Sequence, residues 1–506
     1  MRALLSVYDK TGIKELATGL HDLGWELVSS GGTAKAISDA GLPVLTVAEV
    51  TGSPEMLGHR VVTLHPRIHG GILADRDVPD HLRDLEVNEI DPIDLVVSNL
   101  YPFGVDPSVE MIDIGGPAMV RAAAKNHAHV GIVVDPSDYD MVLGQLRSSG
   151  RLDAETRRAL ARKAFSHTSA YDSAIVSWLD GDELLPPSIH LALERTDDVL
   201  RYGENPHQRA ALYRPMPASQ IGKNEPTWWD AAQLLSGIPL SYLNIYDADA
   251  AMQLVYDLGD EPAAVIVKHA NPCGVAVSHD LETAYQRAFE CDERSSFGGV
   301  VALNRPVDRA TAERMVAAAI ADVIVAPGYE DGVVESLAAR RKVTRVIEAP
   351  RPARSPRHLR QVGGGFLVQQ APHFASGRDQ WKVVTKAAPT EEQWFDAALA
   401  WRICGHVRSN AVVLVNHGQA VGIGAGQQNR VEAGEIAAKK AAGRAKGGAC
   451  ASDAFYPFPD GVEAAADAGA AVVIQPGGSV RDEEVIETAD RLGLAMIFTG
   501  ERHFLH

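Results

Sequence analysis

Cysteine is scarce in this 506-residue chain: there are four, Cys273, Cys291, Cys404 and Cys450, with no Cys-x-x-Cys pair among them. That spacing argues against a zinc ribbon and against a dithiol redox centre. Two phosphate-binding signatures are also missing. There is no Gly-Lys-Ser/Thr loop, and Gly422, Gly424 and Gly426 miss the Gly-x-Gly-x-x-Gly dinucleotide pattern because residue 427 is glutamine. No apolar run reaches the length of a membrane span, and the apolar start Met1–Tyr8 is too short for a signal peptide. A cytoplasmic protein with reduced thiols is expected. Positive charge is in deficit, with 48 lysines and arginines against 66 aspartates and glutamates, a formal charge of -18. This disfavours a general binder of nucleic acid or of anionic membranes, while local cationic clusters can still serve small anionic substrates.

What is present is an ordinary globular composition, 46% hydrophobic and 23% charged, at a length that predicts two or three domains. A helical stripe of Leu160, Ala164, Tyr171, Ile175 and Leu179 is broken by Gly181-Asp-Glu-Leu-Leu-Pro-Pro187. The boundary is therefore expected between 180 and 200, with domains at 1–194 and 195–506. No internal repeat is evident. The basic stretch Arg340–Arg360, with Pro350, Pro352 and Pro356, reads as a solvated surface loop.

In the first domain, strands are expected at Ala3–Val7, Trp25–Ser29, Val44–Val47, Asp94–Ser98 and Gly131–Val134. They alternate with helical spacing, as in Ile13, Leu16, Ala17, Leu20 and Leu23. The pattern predicts an α/β fold with a mostly parallel sheet covered on both faces. Ser29-Ser-Gly-Gly-Thr33 lies between a strand and a helix, where backbone N–H groups, hydroxyls and the helix dipole can cradle an anion; a plain capping loop fits the motif equally well. Three polar clusters follow: Arg60-Val-Val-Thr-Leu-His-Pro66, Asn99-Leu-Tyr-Pro-Phe103 and Asp113-Ile-Gly-Gly-Pro-Ala-Met-Val-Arg-Ala-Ala-Ala-Lys-Asn126. The last places Arg121 and Lys125 one turn apart on a helix rich in alanine, next to Asp113. Cations leaving a packed helix predict an anion or carbonyl site.

In the second domain the apolar run Ala263–Val267 predicts a buried strand that ends in Lys268 and His269, with Pro272 and Gly274 turning the chain. A lysine and a histidine there are costly unless they act, although a snorkelling lysine and a capping histidine are the ordinary alternative. Other polar groupings are Leu200-Arg-Tyr-Gly-Glu-Asn-Pro-His-Gln208, Ser295-Ser-Phe-Gly-Gly299, Asp322 at the head of a strand, Arg408-Ser-Asn410, Arg430 and Ala451-Ser-Asp-Ala-Phe-Tyr-Pro-Phe458.

The motifs Ser-Val-Tyr-Asp-Lys-Thr-Gly, Thr-Leu-His-Pro, Asn-Leu-Tyr-Pro-Phe and Ile-Asp-Ile-Gly-Gly-x(5)-Arg-Ala-Ala-Ala-Lys-Asn resemble the IMP cyclohydrolase half of the bifunctional purine-biosynthesis family. The groupings after residue 200 follow the order of its AICAR transformylase half. The resemblance implies a methylglyoxal-synthase-like N-terminal domain and a transformylase region of two cytidine-deaminase-like subdomains. It implies formyl transfer from 10-formyltetrahydrofolate to AICAR, giving FAICAR, and dehydrating closure to IMP. Ser6, Lys10, Ser30, Gly31, Gly32 and Thr33 would hold the nucleotide's phosphate and ribose. Tyr101, Asp113 and Lys125 would stand at the closing ring, lined by Arg60, Thr63 and Asn99. His269 would be the transformylase base, with Lys268 and Asn410 at the oxyanion and leaving group. Arg201, Tyr202 and Arg430 would bind nucleotide, Arg502 its phosphate, Phe455 its base, and Asp322 would face folate. A homodimer with shared transformylase sites is also implied. The chain has no His-x-Glu, so no catalytic zinc is expected, while a monovalent cation is left open. In three places the chain departs from the family pattern: Val62 and Gly405 stand where lysines are expected, and the segment between Phe103 and Asp113 is shorter than expected. Weakened but nonzero ring closure is the expected result of Val62.

Overall fold

The computed structural model describes residues 1–216 and 228–506. The chain divides into two compact units, Met1–Arg195 with Tyr213–Glu225, and Thr196–Leu212 with Pro226–His506. Among the described residues, no helix is long and apolar enough to cross a membrane.

The first unit is built on a five-stranded parallel sheet in the order Leu45–Thr46, Glu26–Ser29, Arg2–Leu5, Leu95–Val97, Gly131–Val133. Its central strands are apolar at successive positions because helices cover both faces; Ala3, Leu4, Leu5, Leu95, Val96 and Val97 are all fully buried. The sheet grows in both directions from Arg2–Leu5. The loops after Leu5, Ser29 and Val97 therefore open on one edge, at the point where strand order reverses, which is where open α/β sheets form a crevice. The 27-residue helix Ala154–Asp180 closes the unit. It starts at Asp153, whose carboxylate accepts the Thr156 N–H at 2.7 Å. Leu160, Ala164 and Tyr171 of its expected stripe are buried and Ile175 packs against the core, but Leu179 in the last turn is exposed.

The second unit contains a twelve-stranded mixed sheet whose order reads as two six-stranded halves, each the reverse of the other. From one side it runs Lys382–Val383, Ala495–Phe498, Val472–Gln475, Ala449–Ser452, Val412–Asn416, Gln419–Gly424. It continues Asn271–Val277, Ala263–Lys268, Val300–Leu303, Val323–Ala326, Arg345–Glu348, Gln233–Ser236. The halves meet at an antiparallel contact, Ala276 opposite Gln419. The helices Tyr242–Asp257 and Glu391–Cys404 share one core on one face. On the other face, Leu281–Cys291 and Arg430–Ala441 sit over separate cores. The structure therefore contains an internal repeat that is not evident in the sequence. Each half's central hairpin carries a bulge at the same place, at Cys273 and at Val421. The glycine after each bulge meets a helix backbone: a Cβ on Gly274 would lie 2.1 Å from the Ala288 carbonyl oxygen, and one on Gly422 2.1 Å from that of Ala437.

The turn after Lys268 is not made by Pro272 and Gly274, which lie within the next strand. His269 and Ala270 make it, at φ of 57° and 55°. This left-handed backbone is unusual for non-glycine residues, and the Asp247 carboxylate holds it by accepting the N–H groups of His269 at 3.2 Å and Ala270 at 2.8 Å. The second half repeats the device: Asp396 accepts from His417 and Gly418. All four cysteines are buried, and burial pushes the Cys273 and Cys450 thiols up to about 11.

Candidate active sites

The crevice of the first unit holds a cavity of about 750 Å³. Ser6, Lys10, Ser30, Gly31, Gly32, Thr33, Arg60, Thr63, Asn99, Tyr101 and Asp113 all line it. Gly31–Asp39 is a helix whose N-cap, Ser30, makes no side-chain capping bond, so its hydroxyl and the first helical N–H groups face the cavity together. Two of the expected ligand residues are tied to the scaffold. The Thr33 hydroxyl bonds both the N–H and the carbonyl of Val7. Asn99 accepts from Tyr8 N at 2.6 Å and Asp9 N at 3.0 Å and donates to Asp9 O, shaping the loop that presents Lys10.

Asp113 is the half-buried acid of this cavity. Its Oδ1 accepts the Gly116 N–H at 2.8 Å, and a Cβ at Gly116 would come within 2.4 Å of Oδ2, so only glycine fits beneath it. Burial pushes the Asp113 carboxyl above the usual range, against hydrogen bonds from the Gly116 and Tyr101 N–H groups. Burial first, then Asp113 and Tyr8, raises the Tyr101 phenol. A carboxylate that takes up a proton readily, next to a phenol that keeps its own, suits proton shuttling. At the rim Arg60 is ion-paired with Glu110. Val62 lines the cavity and packs against the core, bringing no charge.

Arg121 and Lys125 do not reach this cavity. The helix Gly115–Lys125 begins at it, and each residue advances the chain by about 1.5 Å, so Lys125 stands roughly 15 Å along the axis. Both are exposed, and Arg121 lies over the Phe165 ring.

In the second unit, the polar residues gather along one edge of the long sheet. Lys268 donates to the Phe297 carbonyl at 2.6 Å. His269 is exposed, and among the described residues its ring makes no hydrogen bond. Asp322, at the start of a neighbouring strand, is paired with Arg341 at 2.9 Å. The buried Arg345 feels Asp322, Arg201 and Tyr202, which places these groups together. Arg201 stacks on the Tyr202 ring, 5.4 Å from its centroid.

A second group on the same edge surrounds Asp453, which is fully buried. Its carboxylate accepts from Arg430 at 2.9 Å, from the Ala411 N–H at 3.1 Å and from the Ser409 hydroxyl. Arg430 also donates to the Asn410 Oδ1 at 2.9 Å and to the Phe455 carbonyl, while the Asn410 amide donates to Gln427 O. Arg502 lies over Phe504, next to His503, whose N–H meets the Asp453 carbonyl. Where a lysine is expected, a Cβ at Gly405 would come within 2.7 Å of the Phe374 ring, so the aromatic ring fills that space.

A family model described as the AICARFT/IMPCHase bienzyme matches residues 123–440, and one described as an MGS-like domain matches residues 12–126. Proteins named bifunctional purine biosynthesis protein PurH match over the full length of the chain. That of Trichormus variabilis is 48% identical, with 100% of this chain and 99% of the relative covered. That of Roseobacter denitrificans is 48% identical (100% and 98%), and that of Bacillus mycoides 46% (100% and 99%). The chain belongs to the AICARFT/IMPCHase bienzyme family.

Four residues at these sites of the bienzyme were not singled out in the sequence. Asp247 lies inside a helix-forming run, with nothing to mark it as the partner of a turn more than twenty residues later. Arg345 sits in a basic stretch that reads as a surface loop, yet it is 5% exposed. Asp453 was visible only as an acid beside aromatics. Tyr171 was read as one residue of a core stripe, but its hydroxyl bonds both Met111 O and Asp113 N.

Proposed function

We propose that residues 1–194 carry ring closure in the cavity around Asp113, and that residues 195–506 carry formyl transfer along the sheet edge around His269. The chain is a bifunctional AICAR transformylase and IMP cyclohydrolase of purine biosynthesis, and its family uses a folate co-substrate. What supports the assignment is a half-buried acid lining a cavity in one unit, and an unpaired histidine beside a lysine in the other.

In formyl transfer the 5-amino nitrogen of AICAR attacks the formyl carbon of 10-formyltetrahydrofolate. The ring and carboxamide delocalise its lone pair, so a base must take its proton as the C–N bond forms. His269 is that base. Lys268 and the second Asn410 side-chain amide hydrogen, the one not given to Gln427, hold the tetrahedral oxyanion, and the folate nitrogen leaves with a proton as the intermediate collapses. Arg201, Tyr202, Arg430, Phe455 and Arg502 bind nucleotide, and Asp322 faces folate. Ring closure then joins the carboxamide nitrogen of FAICAR to its formyl carbon and expels the former carbonyl oxygen as water. Asp113 takes a proton from the attacking carboxamide nitrogen, Tyr101 donates to the formyl oxygen, and the formamide nitrogen gives up its proton as the ring C=N bond forms, so the oxygen leaves with two protons as water. Ser6, Lys10, Ser30, Gly31, Gly32 and Thr33 hold the phosphate and ribose, with Arg60, Thr63 and Asn99 around the ring. With Lys125 far along its helix and Val62 uncharged, Lys10 and Arg60 are the cations left to polarise the formamide. Ring closure is accordingly slow. The reading includes no catalytic metal.

The Lys268 and Asn410 groups lie on strands three places apart, roughly 14 Å by strand spacing. That gap supports a homodimer in which each transformylase site draws on both subunits.

The test supplies AICAR and 10-formyltetrahydrofolate and follows tetrahydrofolate release and IMP formation separately. His269→Ala is expected to lose about 100- to 10,000-fold in formyl transfer, the usual worth of a general base, while still closing added FAICAR. Asp113→Asn is expected to transfer formyl and accumulate FAICAR. A parental formyl-transfer rate in His269→Ala, or a parental closure rate in Asp113→Asn, overturns the corresponding half.

A further inference from the structure

The loop that carries Asp113 is fastened by a residue from a distant helix. The Tyr171 hydroxyl accepts the Asp113 backbone N–H at 2.7 Å and donates to the Met111 carbonyl at 2.7 Å. Tyr171 is 2% exposed and sits edge-on to the Phe103 ring, itself packed edge-on against Trp178. The phenol is thus fixed from behind by aromatic contact and from the front by two main-chain bonds. It does not line the cavity. The backbone around Asp113 needs such an anchor. Residues 109–111 form a single 3-10 turn, and the next helix begins only at Gly115, so Ile112 and Asp113 lie outside regular structure. The Asp113 carboxylate reaches the first turn of that helix, but nothing within its own segment fixes its N–H.

We propose that Tyr171 is a positioning residue for ring closure: it sets the height and direction of the Asp113 carboxylate by clamping the backbone on either side of Ile112. This rests on the assignment of Asp113 as the base. The clamp keeps its polarity at all working pH values, because burial pushes the phenol up to about 12, so the hydroxyl always donates to Met111 and accepts from Asp113. The titratable groups that bear on Asp113 are Tyr101 and Tyr171, with Asp172 bearing on Tyr171.

Phenylalanine at 171 keeps the ring packing and removes both bonds. Misplacing a reacting group by about 1 Å can cost on the order of 100-fold. Tyr171→Phe is therefore expected to lower kcat for closure of FAICAR by about ten- to a hundred-fold with KM within about threefold, and to leave formyl transfer by the same chain unchanged. The acid limb of the closure profile is expected to move to lower pH, because a loosened loop lets water reach Asp113 and relieves the burial that raises it. A Tyr171→Phe protein that closes FAICAR within twofold of the parent overturns the clamp. So does one that loses IMP binding by calorimetry and melts early while its kcat at saturation holds, since that describes a scaffold residue only. Asp113→Asn separates this from the reading beneath it. If Asp113→Asn closes the ring at the parental rate, the assignment of the base fails; if Asp113→Asn is inactive and Tyr171→Phe is not, the clamp alone fails.

Discussion

Val62 presents a branched hydrocarbon to the first cavity where the family resemblance leads one to expect an ammonium group. One electrostatic donor aimed at developing charge is worth roughly 2.7–4 kcal/mol. Val62→Lys is therefore expected to raise kcat for ring closure at least about tenfold, allowing for imperfect aim; stopped-flow IMP formation that is no faster than the parent would remove the explanation for a slow second step. The charge state of Asp113 gives a second expectation. As the proposed base it acts deprotonated and burial raises its pKa, so closure should fail as pH drops through a value above the ordinary carboxylate figure of about 3.9. The stability term has the opposite sign. A group whose folded pKa is raised contributes most when protonated, below its unfolded pKa, and loses that contribution as pH rises through the folded value. The cyclohydrolase unit thus gives up some stability at the pH where its base works, and a kcat profile whose acid limb lies at or below the ordinary carboxylate range would contradict this. At this scale the sequence was readable wherever a motif was contiguous, as in the Ser6–Lys10 and Ser30–Thr33 loops. It left the place of Lys125 open, because i, i+4 spacing reports a shared face and says nothing of distance from the helix start. Tyr171 could not be read, since its function is a contact 58 residues away.

Strands and helices were legible in the first unit from alternation alone, because a parallel sheet covered on both faces writes continuous apolar runs. The long sheet was harder. Its two halves have the same plan but share few side chains, and the surviving correspondences are isolated: Asp247 with Asp396, His269 with His417, Gly274 with Gly422. None forms a periodic pattern that a scan would find. The glycines survive for a packing reason and permit a direct check. Gly274→Ala would force a methyl to within 2.1 Å of the Ala288 carbonyl oxygen, so the strand or the helix Leu281–Cys291 must move. Overpacking of this kind typically costs about 1–3 kcal/mol. The urea midpoint should fall for Gly274→Ala and similarly for Gly422→Ala. Formyl transfer should suffer more from the first, because Gly274 follows the strand turn that carries His269. Equal midpoints for the variants and the parent would show that the close approach is not a constraint. Pro272 and Gly274 look like turn residues in the sequence because proline and glycine mark bulged strands as readily as they mark turns.

For the molecule as a whole, the two-unit division and the family membership make the two reactions separable in principle, while the transformylase edge argues for a second subunit. Light scattering at assay concentration should give a dimer. On dilution, transformylase activity per chain should fall before ring closure does, because only the former is proposed to need both subunits. Equal activities at all concentrations, or an active monomer, would refute the shared site. The formal charge of -18 could be read as excluding anionic substrates. The lining of the first cavity, with Lys10, Arg60 and helix N–H groups, shows why a global charge does not decide a local one.

The cysteines, noted above only for their burial, matter for labelling chemistry. Alkylating probes attack thiolates that water can reach, and here every native thiol is enclosed and held protonated at neutral pH. The repeated turn at His417 lies at the end of the long sheet opposite His269 and is open to solvent. A single His417→Cys exchange would therefore give the enzyme one reactive thiol on a background silent to maleimides. A fluorophore or tether placed there would sit at the sheet edge opposite the one proposed to carry formyl transfer.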